Sequence, residues 1–284
     1  MENEIKLRNG MLMPRLGMGT WYIGEDRASE KEEIEAIRAG LDAGQSLIDT
    51  AEMYGNGAAE RLVGKAIEGY SRDKLFLVSK VLPYNAGRKN IFDSLEASLK
   101  RMGTDYLDLY LLHWIGSVPF EETVECMEKM VKDGKIRSWG VSNFDTSDMK
   151  ELFDIENGTN CVVNQDLYHL GSRGIEFDLL PWMRENNVAL MAYCPLAQGG
   201  DLRSELLSNE SVKNVASKHG ISEIQTLLAF VLHEKNAIAI PRSGKKEHVL
   251  ANWEVRNIEL DEEDMDLLNR AYPKPNRKMH LDVV

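Results

Sequence analysis

Short apolar runs rich in Val, Ile and Leu alternate with longer amphipathic segments along the whole chain. This is the pattern of repeated βα units around a parallel sheet: a strand covered on both faces reads as an unbroken apolar run, whereas a covering helix needs only one apolar stripe. Eight runs qualify as strands, at 16–20, 47–51, 75–81, 107–113, 136–141, 162–165, 188–193 and 237–240. Eight is the number that closes a barrel. Ahead of them, IKLRNGMLMPRLG carries an Asn-Gly dipeptide between two short apolar stretches, the signal of a β-hairpin. The expectation is an α/β fold, a (β/α)8 TIM barrel with an N-terminal β-hairpin, and the 284 residues suit one such domain over 1–284, typically about 250 residues.

The intervening helices carry their own signals. Ser29 precedes KEEIEAIRAGLDAG, with Glu32 three residues on as a capping box and a glycine at the far end. FDSLEASLKRMG ends similarly, with Lys100 and Arg101 in its last turn. Between the seventh and eighth strands there is room for two helical segments, 210–219 and 222–235, so one is an extra helix. Nothing resembles a Pro/Ser-rich linker.

Acidic residues exceed basic ones by 46 to 34, which argues against a nucleic-acid partner. A phosphate-bearing ligand would need a local cationic site. Cys126, Cys161 and Cys194 are widely spaced and odd in number, without the C-x-x-C pair of a zinc or redox site, and read as reduced thiols. The start, MENEIKLRNG, lacks the apolar stretch of a signal peptide, and no later window is apolar enough for a bilayer. A cytoplasmic protein without membrane partners is expected.

In such a barrel the site forms at the C-terminal ends of the strands. Asp49 sits near the end of the second strand with Tyr54 in the loop after it; Lys80 closes the third and His113 the fourth. Each alone has a plainer reading: a strand stop, a packed tyrosine, a lysine snorkelling to water, a structural histidine. Together they form a network, because a buried lysine wants a counter-charge and Asp49 on the adjacent strand supplies one. A neighbouring ammonium favours the phenolate, so Lys80 is expected to lower the proton affinity of Tyr54, which becomes a general acid with His113 orienting the same oxygen. Such a site suits reduction of a small-molecule carbonyl, with hydride from a cofactor.

Here the chain resembles the aldo-keto reductases, through GMGTW at 17–21, LIDTAEMYGN at 47–56, VSKV at 78–81, LLHW at 111–114, GVSNF at 140–144, VNQDLYH at 163–169, AYCPL at 192–196 and IPRS at 240–243. The resemblance implies a TIM barrel using NADPH/NADP without a Rossmann domain. It implies that Asp49, Tyr54, Lys80 and His113 are the catalytic tetrad, that Ser142, Asn143 and Gln165 hold the nicotinamide carboxamide, and that Tyr193 stacks on the ring. Leu196, Arg242, Ser243, His248 and Asn252 complete its cofactor set. The sequence departs from the family's pattern at Arg242, often Lys, at His248, often Arg, at Ala251, often Glu, and at Cys194, often Ser. Arg242 still allows a bidentate phosphate contact, so NADPH is favoured and NADH is possible.

Trp21 and Trp114 follow the first and fourth strands and are expected to wall the substrate pocket, with Tyr22 and Met53 beside them. The loop WIGSVPFEE is short and the tail PNRKMHLDVV is brief for a specificity loop, so an open pocket for small or varied aldehydes and ketones is expected. Two other readings compete: a nicotinamide-binding regulatory subunit with little turnover, and a metal-dependent hydrolase. The second would want several His and carboxylate ligands at strand ends, where only His113 stands, and no metal is expected.

Overall fold

The structure is a computed structural model and describes residues 3–284. Strands β1 (Glu4–Lys6) and β2 (Leu12–Pro14) pair antiparallel, Ile5 opposite Met13. Gly10 makes the turn possible with φ 88°. Leu7 and Met13 of this hairpin pack with Leu47, Val78 and Leu109 inside the sheet, so the hairpin plugs the floor of the barrel.

The barrel strands are β3 (Gly17–Gly19), β4 (Leu47–Asp49), β5 (Phe76–Val81), β6 (Leu107–Leu112), β7 (Ile136–Ser142), β8 (Val163–Leu167), β9 (Ala189–Tyr193) and β10 (Ala237–Ala239). They are parallel and lie in chain order. Closure comes from parallel bridges of Leu16 with Ala239 and Gly19 with Arg242. A Cβ on Gly19 would stand 2.7 Å from the carbonyl oxygen of Ile240, so this seam closes only with glycine. The eight-stranded barrel and its hairpin match the expected fold, with strand ends moved by a residue or two.

Two apolar layers hold it together. One fills the barrel; the other, including Leu95, Met127, Leu180 and Phe230, lies between sheet and helices. Each such side chain contributes about 1.5–3 kcal/mol on burial.

Two local expectations fail. Ser29 makes no capping bond: its backbone is already helical, with φ −93° and ψ −9°, and its hydroxyl donates to Asp26 O at 3.0 Å. Capping boxes form instead at Asp145 with Asp148, Ser222 with Gln225 and Asp261 with Asp264. Between β9 and β10 there are three helices, Gly200–Ser208, Glu210–His219 and Glu223–His233, not two. The first escapes a periodicity argument because Leu206 is its one buried side chain. The helices ending near Gly44 and Gly103 do turn off at left-handed glycines, φ 95° and 65°.

Candidate active site

Strand residues alternate between the two faces of a sheet, and this period decides what stands at the barrel mouth. Leu47, Val78, Leu109 and Met191 point into the barrel core. Counting two onward from such inward positions gives Asp49, Lys80, His113 and Tyr193, and with Ser142 and Gln165 each of six consecutive strands delivers a polar side chain to the mouth. All but Lys80 line one open cavity of about 390 Å³. Lys80 lies beneath it, fully buried.

Lys80 is the hub. Its Nζ donates to Asp49 Oδ2 at 2.8 Å, Thr50 O at 2.9 Å and Tyr54 Oη at 3.1 Å. An ammonium has three donors, and all three are spent here. Tyr54 reaches this point because the turn after β4 runs through three successive left-handed residues, Gly55, Asn56 and Gly57, with φ 54°, 56° and 78°. Glycine and asparagine are the residues that tolerate that conformation. Asp49 Oδ1 accepts from Gln165 Nε2 at 2.8 Å, and Thr20 Oγ1 donates to Asp49 O at 2.9 Å.

Burial sets the proton affinities. It pushes the Tyr54 phenol well above its ordinary value, and the charge of Asp49 and the Cys194 sulfur push the same way. The expected lowering by Lys80 is therefore not found: Asp49, 2.8 Å from the ammonium, cancels much of its field. Within the pair, burial raises Asp49 and lowers Lys80, each opposed by the partner's charge. Burial and the Lys80 charge push His113 down to about 2, so its imidazole is neutral. Its Nδ1 is buried without a hydrogen-bond partner among the described residues, and its ring meets that of Tyr54 edge-on at 5.8 Å.

The expected cofactor residues divide into two groups. Ser142, Asn143, Gln165, Tyr193, Leu196 and Arg242 line the cavity with the tetrad. Tyr193 Oη donates to Asn143 Oδ1 at 2.8 Å, Asn143 Nδ2 donates to His113 O and Ser142 Oγ at 3.1 Å each, and Ser142 Oγ donates to Gln165 O at 2.7 Å. Asn143, at φ 60°, thus ties the ends of three strands together. Ser243, His248 and Asn252 lie outside the lining: Ser243 closes a turn with the Lys245 amide at 3.1 Å, His248 is exposed and Asn252 is buried. Arg242 donates to Tyr22 O at 3.3 Å.

Trp21, Tyr22, Met53 and Trp114 all line the cavity, and the Trp21 ring stacks toward Tyr54 at 6.4 Å. Val284 also lines it, although the tail reads as too brief to contribute. Lys278 pairs with Asp145 and Asp178, and Ser172 Oγ donates to Asp282, which pins the tail along the barrel's rim. Sequence reasoning also missed Thr20, the Thr50 carbonyl and Arg203. A backbone acceptor carries no side-chain signal, and Arg203 sits in the helix that periodicity did not reveal.

Acid, ammonium, phenol and imidazole gathered at the mouth of a parallel barrel define a class: barrel enzymes with a cluster of titratable side chains at the C-terminal strand ends. The chain belongs to the aldo/keto reductase family, whose model matches residues 15–273. It is 51% identical over 283 residues to methylglyoxal reductase YeaE of Escherichia coli (strain K12), covering 100% of this chain and 99% of that one. It is 35% identical to glyoxal reductase of Bacillus subtilis (strain 168), over 97% of each. Among solved structures, an aldo-keto reductase from Klebsiella pneumoniae in complex with NADPH superposes with a TM-score of 0.96 at 48% identity, over 100% of both chains. Family membership makes this chain an NADP-dependent oxidoreductase acting on carbonyl groups.

Proposed function

We propose that the chain reduces small aldehydes and ketones, α-dicarbonyls of the methylglyoxal kind among them, with NADPH preferred and Tyr54 as the proton donor. One observation carries the reading. Because all three donors of Lys80 are spent, one of them on the phenol oxygen, the Tyr54 O–H has to be donated elsewhere, and the cavity is where that residue is open. The raised proton affinity keeps Tyr54 protonated at neutral pH, the state a donor needs.

The bound nicotinamide supplies the hydride. As charge develops on the carbonyl oxygen, Tyr54 gives up its proton and Lys80, already bonded to the phenol oxygen, stabilises the phenolate. Neutral His113, which lines the same cavity, would offer its one N–H as a second donor to that oxygen, and Asp49 fixes Lys80. Tyr193, held by Asn143, would provide a flat wall for a nicotinamide ring, and Gln165 with the Ser142–Asn143 pair would hold its carboxamide. Arg242, which lines the cavity, would take the 2′-phosphate. Trp21, Trp114 and Met53 bound the substrate space.

We also take 1–284 as one domain, supported by the single closed barrel, and place the protein in the cytoplasm, supported by its three free cysteines. No helix among the described residues is long and apolar enough to cross a membrane. The test is loss of NADPH absorbance with a panel of aldehydes, ketones and dicarbonyls, run with NADPH and NADH. Turnover of short carbonyls that favours NADPH supports the reading. Tight NADPH binding without turnover would replace it with a regulatory subunit, and equal efficiency with NADH would remove the cofactor preference.

A further inference from the structure

The turn that carries Tyr54 is made of residues that hold little. Met53 is exposed, and Gly55, Asn56 and Gly57 are left-handed. Apart from the Tyr54 phenol itself, Glu52 is the one side chain between Ala51 and Gly57 that bonds to another element, among the described residues. It does not line the cavity, so it has no access to a substrate there.

What Glu52 bonds to is the strand of Lys80. The amide donors of a parallel strand recur at regular intervals along its neighbour. Phe76 N donates to Ser46 O at 3.0 Å, so six residues further along both chains Leu82 N comes opposite Glu52. By then the chain after β4 has left the sheet for the Tyr54 turn, and the Glu52 side chain stands in for a strand carbonyl: its Oε1 accepts from Leu82 N at 2.7 Å. Donors in the other direction persist, from Thr50 N to Val78 O at 2.9 Å and from Glu52 N to Lys80 O at 3.3 Å. Glu52 therefore grips this chain twice, by its amide at Lys80 and by its carboxylate two residues beyond.

The anchor is firm. The same Oε1 accepts from Asn85 Nδ2 at 3.1 Å, in the turn Pro83–Asn85. A Cβ on Gly116 would stand 2.5 Å from Pro83 Cβ, so that turn is wedged against the loop carrying Trp114. A carboxylate also makes stronger bonds to N–H donors than a neutral acceptor does. The bond between Lys80 Nζ and Tyr54 Oη, 3.1 Å long, thus joins two segments that Glu52 already holds in register.

We propose that Glu52 is a positioning residue for the proton donor: its carboxylate fixes the Tyr54 turn against the chain that carries Lys80. The proposal rests on the reading of Tyr54 as that donor. A misplacement of about 1 Å at a reacting group costs about 100-fold in rate, and the phenol has no other fastening from its own turn.

The test is carbon NMR of the full chain labelled at the tyrosine ζ carbons, the Tyr54 signal being the one lost in Tyr54→Phe. Glu52→Ala is expected to move that signal and to lower kcat by about 10- to 100-fold, with the Kd for NADPH unchanged. Glu52→Gln, whose amide oxygen can accept both bonds, should restore the signal and most of kcat. Glu52→Asp keeps the charge but shortens the reach, so it should behave like alanine, and it carries the test if alanine prevents folding. A Tyr54 signal and kcat unmoved in both short variants, with only the thermal midpoint lowered, would reduce Glu52 to a structural fastener and overturn the proposal. Glutamine as impaired as alanine would overturn it too, since charge rather than reach would then matter. If the wild-type chain turned over no carbonyl with NADPH, the donor reading would fail, while the NMR signal would still decide whether Glu52 sets the place of the phenol.

Discussion

Two buried acids stand at the C-terminal ends of barrel strands, Asp49 on β4 and Asp166 on β8, and they have opposite fates. Asp49 faces inward and accepts from Lys80 and Gln165 at 2.8 Å each. Asp166 is one residue past the inward Gln165, so it faces the helices; among the described residues neither of its oxygens has a hydrogen-bond partner of good geometry, the Asn143 amide being its nearest donor in effect. Burial pushes the Asp166 pKa well above its ordinary value, nearby Asp145 pushes it further, and the Asn143 amide offsets only part. One carboxyl takes part in a charged network; burial pushes the other toward its protonated form. A strand end in this fold is therefore not enough to make a residue functional. The face decides here, because at the mouth Lys80 stands within reach of Asp49, whereas no cation pairs with Asp166 among the described residues.

The sharpest way to break that contrast is to remove chemistry from one side and look for it on the other. Tyr54→Phe keeps the ring and deletes the proton, so kcat/KM should fall by about 10²–10⁴, while the thermal midpoint stays close to wild type. Steady-state kinetics on the best carbonyl substrate decides it. A comparable loss in Asp166→Asn would show that the outward acid also serves turnover, and the distinction drawn from the two faces would collapse.

A slightly smaller effect is expected on stability from Lys80→Met. The substitution strands Asp49 in a site where it is 2% exposed, and an uncompensated buried charge destabilises by about 3–5 kcal/mol. Denaturant unfolding measures it. The double variant Asp49→Asn, Lys80→Met should recover most of the loss, because the desolvated charge has gone. If the double variant were as unstable as the sum of its singles, the pair would not be acting as a unit.

The barrel strands and the grouping of Asp49, Lys80 and His113 were legible in the sequence for one reason: both follow period two. Apolar runs mark the strands, and a polar residue two past an inward apolar one is conspicuous, as in LIDT and LVSK. What it hid depends on three-dimensional surroundings. Lys80 beside Tyr54 invites the view that the phenol becomes more acidic, yet desolvation outweighs that field once Asp49 has neutralised it. Arg203 sits in a helix with a single buried residue, and Val284 reaches the cavity through ion pairs of Lys278 that no local pattern announces. Ser29 and Glu32 have the right spacing for a cap, but the preceding turn has already committed the Ser29 backbone.

Asp166 offers the smallest and most discriminating test. Its folded pKa lies above the ordinary 3.8, so the stability it contributes is fully present below about pH 4 and is lost as pH rises toward the folded value. Asparagine has nearly the shape of the protonated acid and cannot ionise. Asp166→Asn should therefore match wild type near pH 4 and exceed it at pH 7 to 8 by roughly 1–3 kcal/mol, the scale of a buried unsatisfied polar group. Chemical denaturation across that pH range, with turnover measured alongside, separates the cases. A difference that does not change with pH would mean that Asp166 is no neutral acid. A gain in stability that grows with pH at unchanged kcat would establish that β8 carries its acid at a cost, and that the charge this barrel can use is the charge it turns inward.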